Sequence, residues 1–104
     1  MPHPKGSIIT VFGSNVPKDG ETDYEQARAL GAALAQAGYV VATGGYFGTM
    51  EAASRGAKEA GGHVIGVTAS IFDDLRLQAN PYLDEEIKFP TLFQRLHYLV
   101  TFAD

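Results

Sequence analysis

Ala42-Thr43-Gly44-Gly45-Tyr46-Phe47-Gly48-Thr49-Met50-Glu51 is the stretch of sequence that decides the fold of this chain. Residues 39–42, which lead into it, are an apolar run that suits a buried strand, and an alanine-rich helical pattern follows it. A glycine turn between a strand and a helix lets backbone N–H groups approach an anion closely, and the helix directs its positive dipole end to the same place. The stretch therefore predicts a binding site for a nucleotide or a sugar phosphate.

Three short β-branched or apolar segments, at residues 7–12, 39–43 and 63–67, are separated by two helical patterns at residues 22–37 and 47–60. Apolar runs without polar alternation are typical of strands buried on both faces of a parallel sheet. Because β-α-β units join parallel strands by right-handed crossovers, this order predicts an α/β, Rossmann-like fold with three layers.

The third strand is followed by an irregular region at residues 68–90, in which residues 85–89 could form a short extended piece. Pro90-Thr91 then opens a last helix, and Thr91 and Gln94 have the spacing of a capping box, as do Thr22 and Glu25 at the first helix. Helical spacing predicts core stripes on both of these helices. The predicted stripe residues are Ala27, Leu30, Leu34 and Ala37 on the first, and Leu92, Leu96, Leu99 and Ala103 on the last.

The pattern β-α-β-α-β-α ends with a helix, so the parallel sheet is expected to be truncated before a fourth strand, which in doubly wound sheets pairs beside the first. We expect residues 1–6 to be disordered and residues 7–104 to form a single nucleotide-binding domain, the N-terminal part of a larger one. A first strand without that neighbour would be an open edge that invites pairing with another chain. Either the chain is a fragment or a partner chain covers this edge.

Composition excludes several classes of function. The chain is 45% hydrophobic and 19% charged, with a net charge of -4, which argues against non-specific binding of nucleic acid or of an anionic membrane. It has no cysteine, so disulfides and thiolate metal sites are excluded, and its three histidines lack ligand spacing. No apolar run approaches the roughly 18–20 residues of a membrane span. We expect a cytoplasmic protein without a metal or a cofactor.

The glycine turn supplies most of the predicted phosphate-binding residues. They are Thr43, Gly44, Gly45, Gly48 and Thr49. A dinucleotide fingerprint would need glycine at position 43, where threonine stands, and an acidic residue about 20 residues further on, which is missing. The turn therefore predicts a phosphate site rather than an NAD site. The alternative is a tight strand-to-helix connection that binds nothing.

Four further residues are candidates for the same site. Gly13, Ser14 and Asn15 follow the first strand, and ligands of open α/β sheets bind at the carboxyl ends of strands. The alternative is a turn that caps its own backbone. Arg95 lies off the leucine stripe of the last helix, and its guanidinium suits phosphate binding, although it could equally be solvated. Glu51 is interpreted as complementing the dipole of the second helix.

Residues 11–15, 44–52 and 60–67 resemble the Lonely Guy (LOG) family, also known as possible lysine decarboxylases, and the resemblance runs from about residue 7 to residue 104. It implies a Rossmann-like fold, a homodimer and a phosphoribohydrolase activity, which cleaves the N-glycosidic bond of nucleoside 5′-monophosphates. It also implies that Arg95 is the catalytic arginine, since Asp104 follows it at the spacing of the family.

The sequence also departs from the LOG pattern. Tyr46 stands in place of a third glycine, Leu96 stands where lysine is common, and the signature P-G-G-x-G-T-x-x-E, which supplies the family's glutamate, is absent from these 104 residues. We therefore expect a nucleotide- or phosphate-binding protein that is inactive as this chain. The alternatives are a carrier module for a nucleotide or molybdenum cofactor, and a half-sheet with an empty site that pairs across a dimer. The expected partners are a nucleoside monophosphate or other phosphorylated small molecule and a second copy of the chain.

Overall fold

Strands and helices alternate along the chain in a computed structural model that describes residues 5–13, 16–74 and 78–103. The strands are β1 (Ile8–Thr10), β2 (Val40–Thr43), β3 (Val64–Ala69) and β4 (Glu85–Phe89). The helices are α1 (Thr22–Gln36), α2 (Thr49–Glu59), α3 (Ile71–Asp74) and α4 (Leu92–Thr101). Of residues 1–6, for which disorder was predicted, residues 1–4 lie outside the described residues, and Gly6 forms a β-bridge.

The four strands form one parallel sheet in the order β1-β2-β3-β4. The predicted α/β, Rossmann-like fold is therefore confirmed, and among the described residues no strand other than β2 pairs with β1, but the sheet contains one more strand than the three that the sequence predicted. This additional strand is β4, in the segment that the sequence indicated only as a short extended piece, and it pairs with β3. Its charged residues hid it, because a strand at a sheet edge carries polar side chains and gains its hydrogen bonds from one neighbour, here β3.

Helices cover both faces of the sheet, which gives the three predicted layers. Successive residues of a strand point to opposite faces. Val41 packs against Ala53 and Ala57 of α2, on the face that α1 also covers. Val40 instead packs in a cluster with Leu99 of α4, on the opposite face. The carboxyl ends of β2 and β3 consequently lie between α2 on one side and α4 on the other.

Glycines bring the backbones of α1 and α2 into direct contact. A Cβ atom added to Gly31 would lie 2.0 Å from the carbonyl oxygen of Ala53, and one added to Gly56 would lie 1.8 Å from that of Arg28. No side chain fits in this space, so both positions require glycine. The contact fixes where α2 begins relative to α1.

The two predicted capping boxes had different outcomes. The one at Thr91 is confirmed, because its hydroxyl accepts the Gln94 N–H at 3.2 Å. The one at Thr22 was wrong, since the N-cap of α1 is Glu21 and it makes no side-chain cap. Its carboxylate instead accepts the backbone N–H of Lys18 at 2.7 Å in the preceding turn.

The predicted core stripe of α4 was also largely wrong. Leu99 is buried at 3% exposure, but Leu92 and Leu96 are 46% and 52% exposed. The helix meets the sheet through Leu99, Tyr98 and Arg95, whereas Leu92 and Leu96 lie on its exposed side. Leu30 of α1 is likewise exposed. No helix in the described part of the chain is long and apolar enough to cross a membrane.

Candidate functional site

The glycine turn, residues 44–48, connects the carboxyl end of β2 to the first residue of α2. Gly45 and Gly48 have φ angles of 84° and 68°, in the left-handed region that favours glycine. Gly48 is the N-cap of α2 and provides no side-chain cap. The first N–H groups of a helix have no acceptor within it, so those of α2 have neither an intrahelical partner nor a side-chain cap from Gly48.

Arg95 of α4 reaches the edge of this turn. Its Nε atom donates to the carbonyl oxygen of Val67 at 2.7 Å, and its Nη2 atom donates to that of Gly44 at 3.0 Å. These two bonds join the residue that follows β2 to the second half of β3 through one guanidinium. The sequence indicated Arg95 and the turn as candidates for one site, and the structure brings the two into contact.

Arg95 carries its charge in a partly buried position. Burial lowers the pKa of Arg95, while the nearby Tyr46 shifts that pKa slightly upward. The guanidinium carbon lies 5.6 Å from the centre of the Tyr46 ring. Among the described residues no carboxylate pairs with Arg95, and its Nη1 atom has no hydrogen-bond acceptor. A partly buried cation without a counter-ion favours an anion from solution.

A cleft of about 110 Å³ opens beside the guanidinium. It is lined by Val11, Phe12, Gly13, Gly44, Met50, Arg95, Leu96 and Leu99. A Cβ atom added to Gly13 would lie only 2.3 Å from the Thr49 side chain, so the loop after β1 touches the first residue of α2. Gly13, Gly44, Thr49 and Arg95 are thus neighbours, while Ser14 and Asn15 lie outside the described residues.

Thr43 is turned away from this cleft. Its fully buried hydroxyl bonds to Ser54 Oγ at 3.0 Å and accepts the N–H of Gly45 at 3.1 Å. Both contacts lie within the protein, so the hydroxyl supports the turn from beneath. The predicted phosphate contact of Thr43 stays a prediction, and the geometry assigns its side chain a supporting place.

Tyr46, which stands where the LOG family has a third glycine, fastens the turn to β3. Its hydroxyl accepts the N–H of Ala69 at 2.9 Å and lies 3.2 Å from the carbonyl oxygen of the same residue. The ring packs edge-on against Phe72 of α3. The substitution therefore replaces backbone freedom with a side-chain anchor.

Asn80 is a second support of the turn, and the sequence analysis missed it. It is 3% exposed, its N–H donates to Gly45 O at 2.8 Å and its Nδ2 atom donates to Tyr46 O at 2.7 Å. Its Oδ1 atom accepts the N–H of Tyr82 at 3.0 Å. The sequence Asn80-Pro81-Tyr82 indicated a turn, and only a long-range contact could reveal its buried role.

Glu51, in the first turn of α2, faces α1. Its Oε2 atom accepts the hydroxyl of Tyr24 at 2.7 Å. Tyr24 is fully buried, and this burial, together with the hydrogen bond to Glu51, raises its pKa to about 12. Glu51 keeps the position expected for a dipole-complementing residue, and it also ties the start of α2 to α1.

β2, the glycine turn and α2 lie in a segment of the chain that matches a known family. The model of the SLOG cluster4 family, a group within the LOG-like superfamily, matches residues 6–91. The chain belongs to this family. The resemblance to LOG proteins is thereby confirmed at the level of the superfamily. No curated protein sequence matches this SLOG chain significantly.

Solved structures resemble this SLOG chain in fold and in sequence. A crystal structure of the protein TM1055 is 34% identical, with a TM-score of 0.74, over 94% of this chain and 56% of that one. The molybdenum cofactor binding protein of the phototrophic bacterium Rippkaea orientalis is 34% identical, with a TM-score of 0.64, over 78% of this chain and 48% of that one.

The molybdenum cofactor carrier protein of Chlamydomonas reinhardtii is 29% identical, with a TM-score of 0.65, over 79% of this chain and 48% of that one. The chain thus spans about half the length of the solved structures that it matches, between 48% and 56%. The residues that the family model matches, 6–91, include the glycine turn.

Proposed function

We propose that this SLOG chain binds a phosphorylated small molecule at the glycine turn, with Arg95 as the cationic contact. One observation carries the proposal: the partly buried Arg95 has no carboxylate partner among the described residues, yet two carbonyl oxygens hold it beside the turn. The bonds from Nε and Nη2 fix the direction of the guanidinium, and the N–H groups of Nη1 are left for a ligand. Gly13, Gly44, Gly45, Gly48 and Thr49 would supply close backbone contacts, with Ser14 and Asn15 as the further predicted ones.

We favour a carrier function over catalysis. Two of the similar solved structures are described as molybdenum cofactor binding or carrier proteins, which supports an anionic pterin phosphate as the ligand. A nucleoside monophosphate is the second candidate, supported by the position of Arg95 in the LOG-like pattern. Both ligands join a phosphate to a planar ring. A cytoplasmic location stays a prediction.

Hydrolysis of nucleoside monophosphates requires more than an arginine. A glycosidase places an acid or a base at the anomeric carbon. Among the described residues no carboxylate lies against Arg95, and Glu51 is bonded to Tyr24 instead. We expect this chain to release no free base from AMP or isopentenyladenine ribotide. Turnover that Arg95→Met abolishes would establish the hydrolase instead.

Calorimetric titration tests the binding proposal. We expect AMP, a pterin phosphate and inorganic phosphate to bind, and Arg95→Met to weaken each by about tenfold or more, because hydrogen bonds from a charged donor contribute about 1.5–3 kcal/mol. Lys88→Met is the matched control, since Lys88 is an exposed cation on β4 whose partners are Asp73 and Glu86. Equal losses in both variants would indicate a general charge effect and contradict the proposal, as would the absence of binding.

We also propose that two copies of the chain associate through the outer flank of α4. This flank exposes Leu92, Phe93, Leu96 and Val100, and α4 contains no acidic residue and no lysine, so a two-fold contact would bring no carboxylates together. We expect a dimer by light scattering that Val100→Glu dissociates. Leu30→Glu is the control, at an exposed leucine of α1. A wild-type monomer would refute the dimer.

A further inference from the structure

We infer that Asn80 is a positioning residue that sets the direction of two backbone N–H groups in the glycine turn, those of Tyr46 and Phe47, toward the bound anion. This inference rests on the proposed function, since it concerns how the same site takes a phosphate. It assigns a ligand-directed role to a buried side chain that lies outside the motifs of the sequence.

The direction follows from the planarity of the peptide bond. In a trans peptide the C=O of one residue and the N–H of the next point in opposite directions, and no described peptide is cis. Asn80 N–H holds the carbonyl oxygen of Gly45, so the N–H of Tyr46 points away from Asn80. Asn80 Nδ2 holds the carbonyl oxygen of Tyr46, so the N–H of Phe47 also points away from Asn80.

Hydrogen bonds to the protein also turn the carbonyl oxygens of the glycine turn away from the ligand. Carbonyl oxygens repel an anion, and three successive ones, from residues 44 to 46, each accept a hydrogen bond. Arg95 takes that of Gly44, and Asn80 takes those of Gly45 and Tyr46. The oxygens therefore face protein donors, and the opposite ends of these peptide dipoles are left for a ligand.

Of the three N–H groups that belong to these peptide units, those of residues 45 to 47, two have no acceptor among the described residues. The N–H of Gly45 donates to the Thr43 hydroxyl, so the protein uses it internally. The N–H groups of Tyr46 and Phe47 have no acceptor within residues 5–13, 16–74 and 78–103. Both belong to the peptide units that Asn80 orients.

The side chain of Asn80 is itself held in one orientation. Its Oδ1 atom accepts the N–H of Tyr82, which leaves Nδ2 as the atom that meets Tyr46 O. The backbone bond from Asn80 N–H to Gly45 O does not depend on the side chain. Removing the side chain should therefore release the Phe47 peptide unit and spare that of Tyr46.

Amide chemical shifts of ¹⁵N-labelled protein, titrated with inorganic phosphate and with AMP, test this inference. In the wild type we expect large shifts at Tyr46 and Phe47. In Asn80→Ala we expect the Phe47 response to disappear and the Tyr46 response to persist, with affinity lowered about tenfold by loss of one donor to a charged acceptor. Thr68→Val is the matched control, because Thr68 is also buried but its hydroxyl bonds to Glu86.

The outcomes separate this inference from the proposed function. If phosphate binds in an Arg95-dependent manner while Tyr46 and Phe47 do not respond, the positioning role of Asn80 is wrong and the binding function stands. If both responses vanish together in Asn80→Ala and also in Thr68→Val, the effect is general destabilisation and the inference fails. If the wild type binds no phosphate, both fail. Should Asn80→Ala not fold, Asn80→Ser removes the same contact with less loss of volume, and the same criteria apply.

Discussion

Gly44→Ala should separate the stability of this protein from its affinity for phosphate. A Cβ atom at this position would lie 2.1 Å from Arg95 Nη2 and 2.4 Å from Met50 Sδ, well inside the 3.4 Å at which ordinary contact begins. Both atoms are at the ends of flexible side chains, so the backbone can stay in place while these side chains move. The added methyl group would therefore displace the guanidinium from the turn.

The magnitude follows from the bonds that Arg95 loses. Its contact with Gly44 O, at 3.0 Å, cannot survive the displacement. A hydrogen bond from a charged donor contributes about 1.5–3 kcal/mol, and rehydration of the guanidinium offsets part of this, so we expect unfolding to become easier by only about 1 kcal/mol. Binding has no such compensation, and we expect the Kd for AMP to rise about tenfold or more.

A double-mutant cycle measures whether the two residues act together. Urea unfolding and calorimetric titration with AMP would be carried out on the wild type, Gly44→Ala, Arg95→Met and the double variant. We expect the double variant to bind no more weakly than Arg95→Met alone. If Gly44→Ala weakens binding equally with and without Arg95, displacement of the arginine is not the cause and the reasoning is wrong.

Three further predictions concern stability. Gly56→Ala should lower the free energy of unfolding by about 1–3 kcal/mol, because the added Cβ would lie 1.8 Å from the Arg28 carbonyl oxygen. Ala33→Gly is the control, since Ala33 is an exposed residue of α1 where only the helix propensity changes. The pKa of Tyr24 is raised from 10.0 to about 12 in the folded state, so the free energy of unfolding should fall as the pH rises between these two values. In urea titrations Tyr24→Phe should lack this part of the fall. Thr91→Ala should cost about 1 kcal/mol through loss of the α4 cap, and an unchanged urea midpoint would contradict the role of that cap.

The sequence predicted the parts of this molecule that depend on local patterns. The order of strands and helices follows from apolar runs and glycine turns, and a sheet built from β-α-β units has few alternatives. Ligands of such sheets bind at the carboxyl ends of the strands, and this rule also grouped Gly13 with the glycine turn. In the structure Gly13 lies against Thr49, which follows the turn directly. Arg95 was indicated by its position off the leucine stripe, although nothing in the sequence specified that it bonds to the carbonyl oxygens of Gly44 and Val67.

The parts that the sequence did not predict depend on contacts between distant segments. Asn80 and Gly45 are far apart along the chain, so no local pattern could join them. β4 was obscured because Glu85, Glu86 and Lys88 make it look like a surface loop. The leucines of α4 followed helical spacing, yet periodicity tells only that they share a face and does not tell whether another element covers it.

The glycine contact between α1 and α2 makes the placement of the site independent of most side chains. Where two helices meet through Gly31 and Gly56, their separation is set by main-chain atoms, which every sequence shares. Substitutions on the outer surfaces of these helices can accumulate without tilting α2 or moving its first turn. The glycine turn is thus held at a distance set by main-chain atoms, and a library of surface variants should keep the geometry of the turn as long as these two glycines are retained.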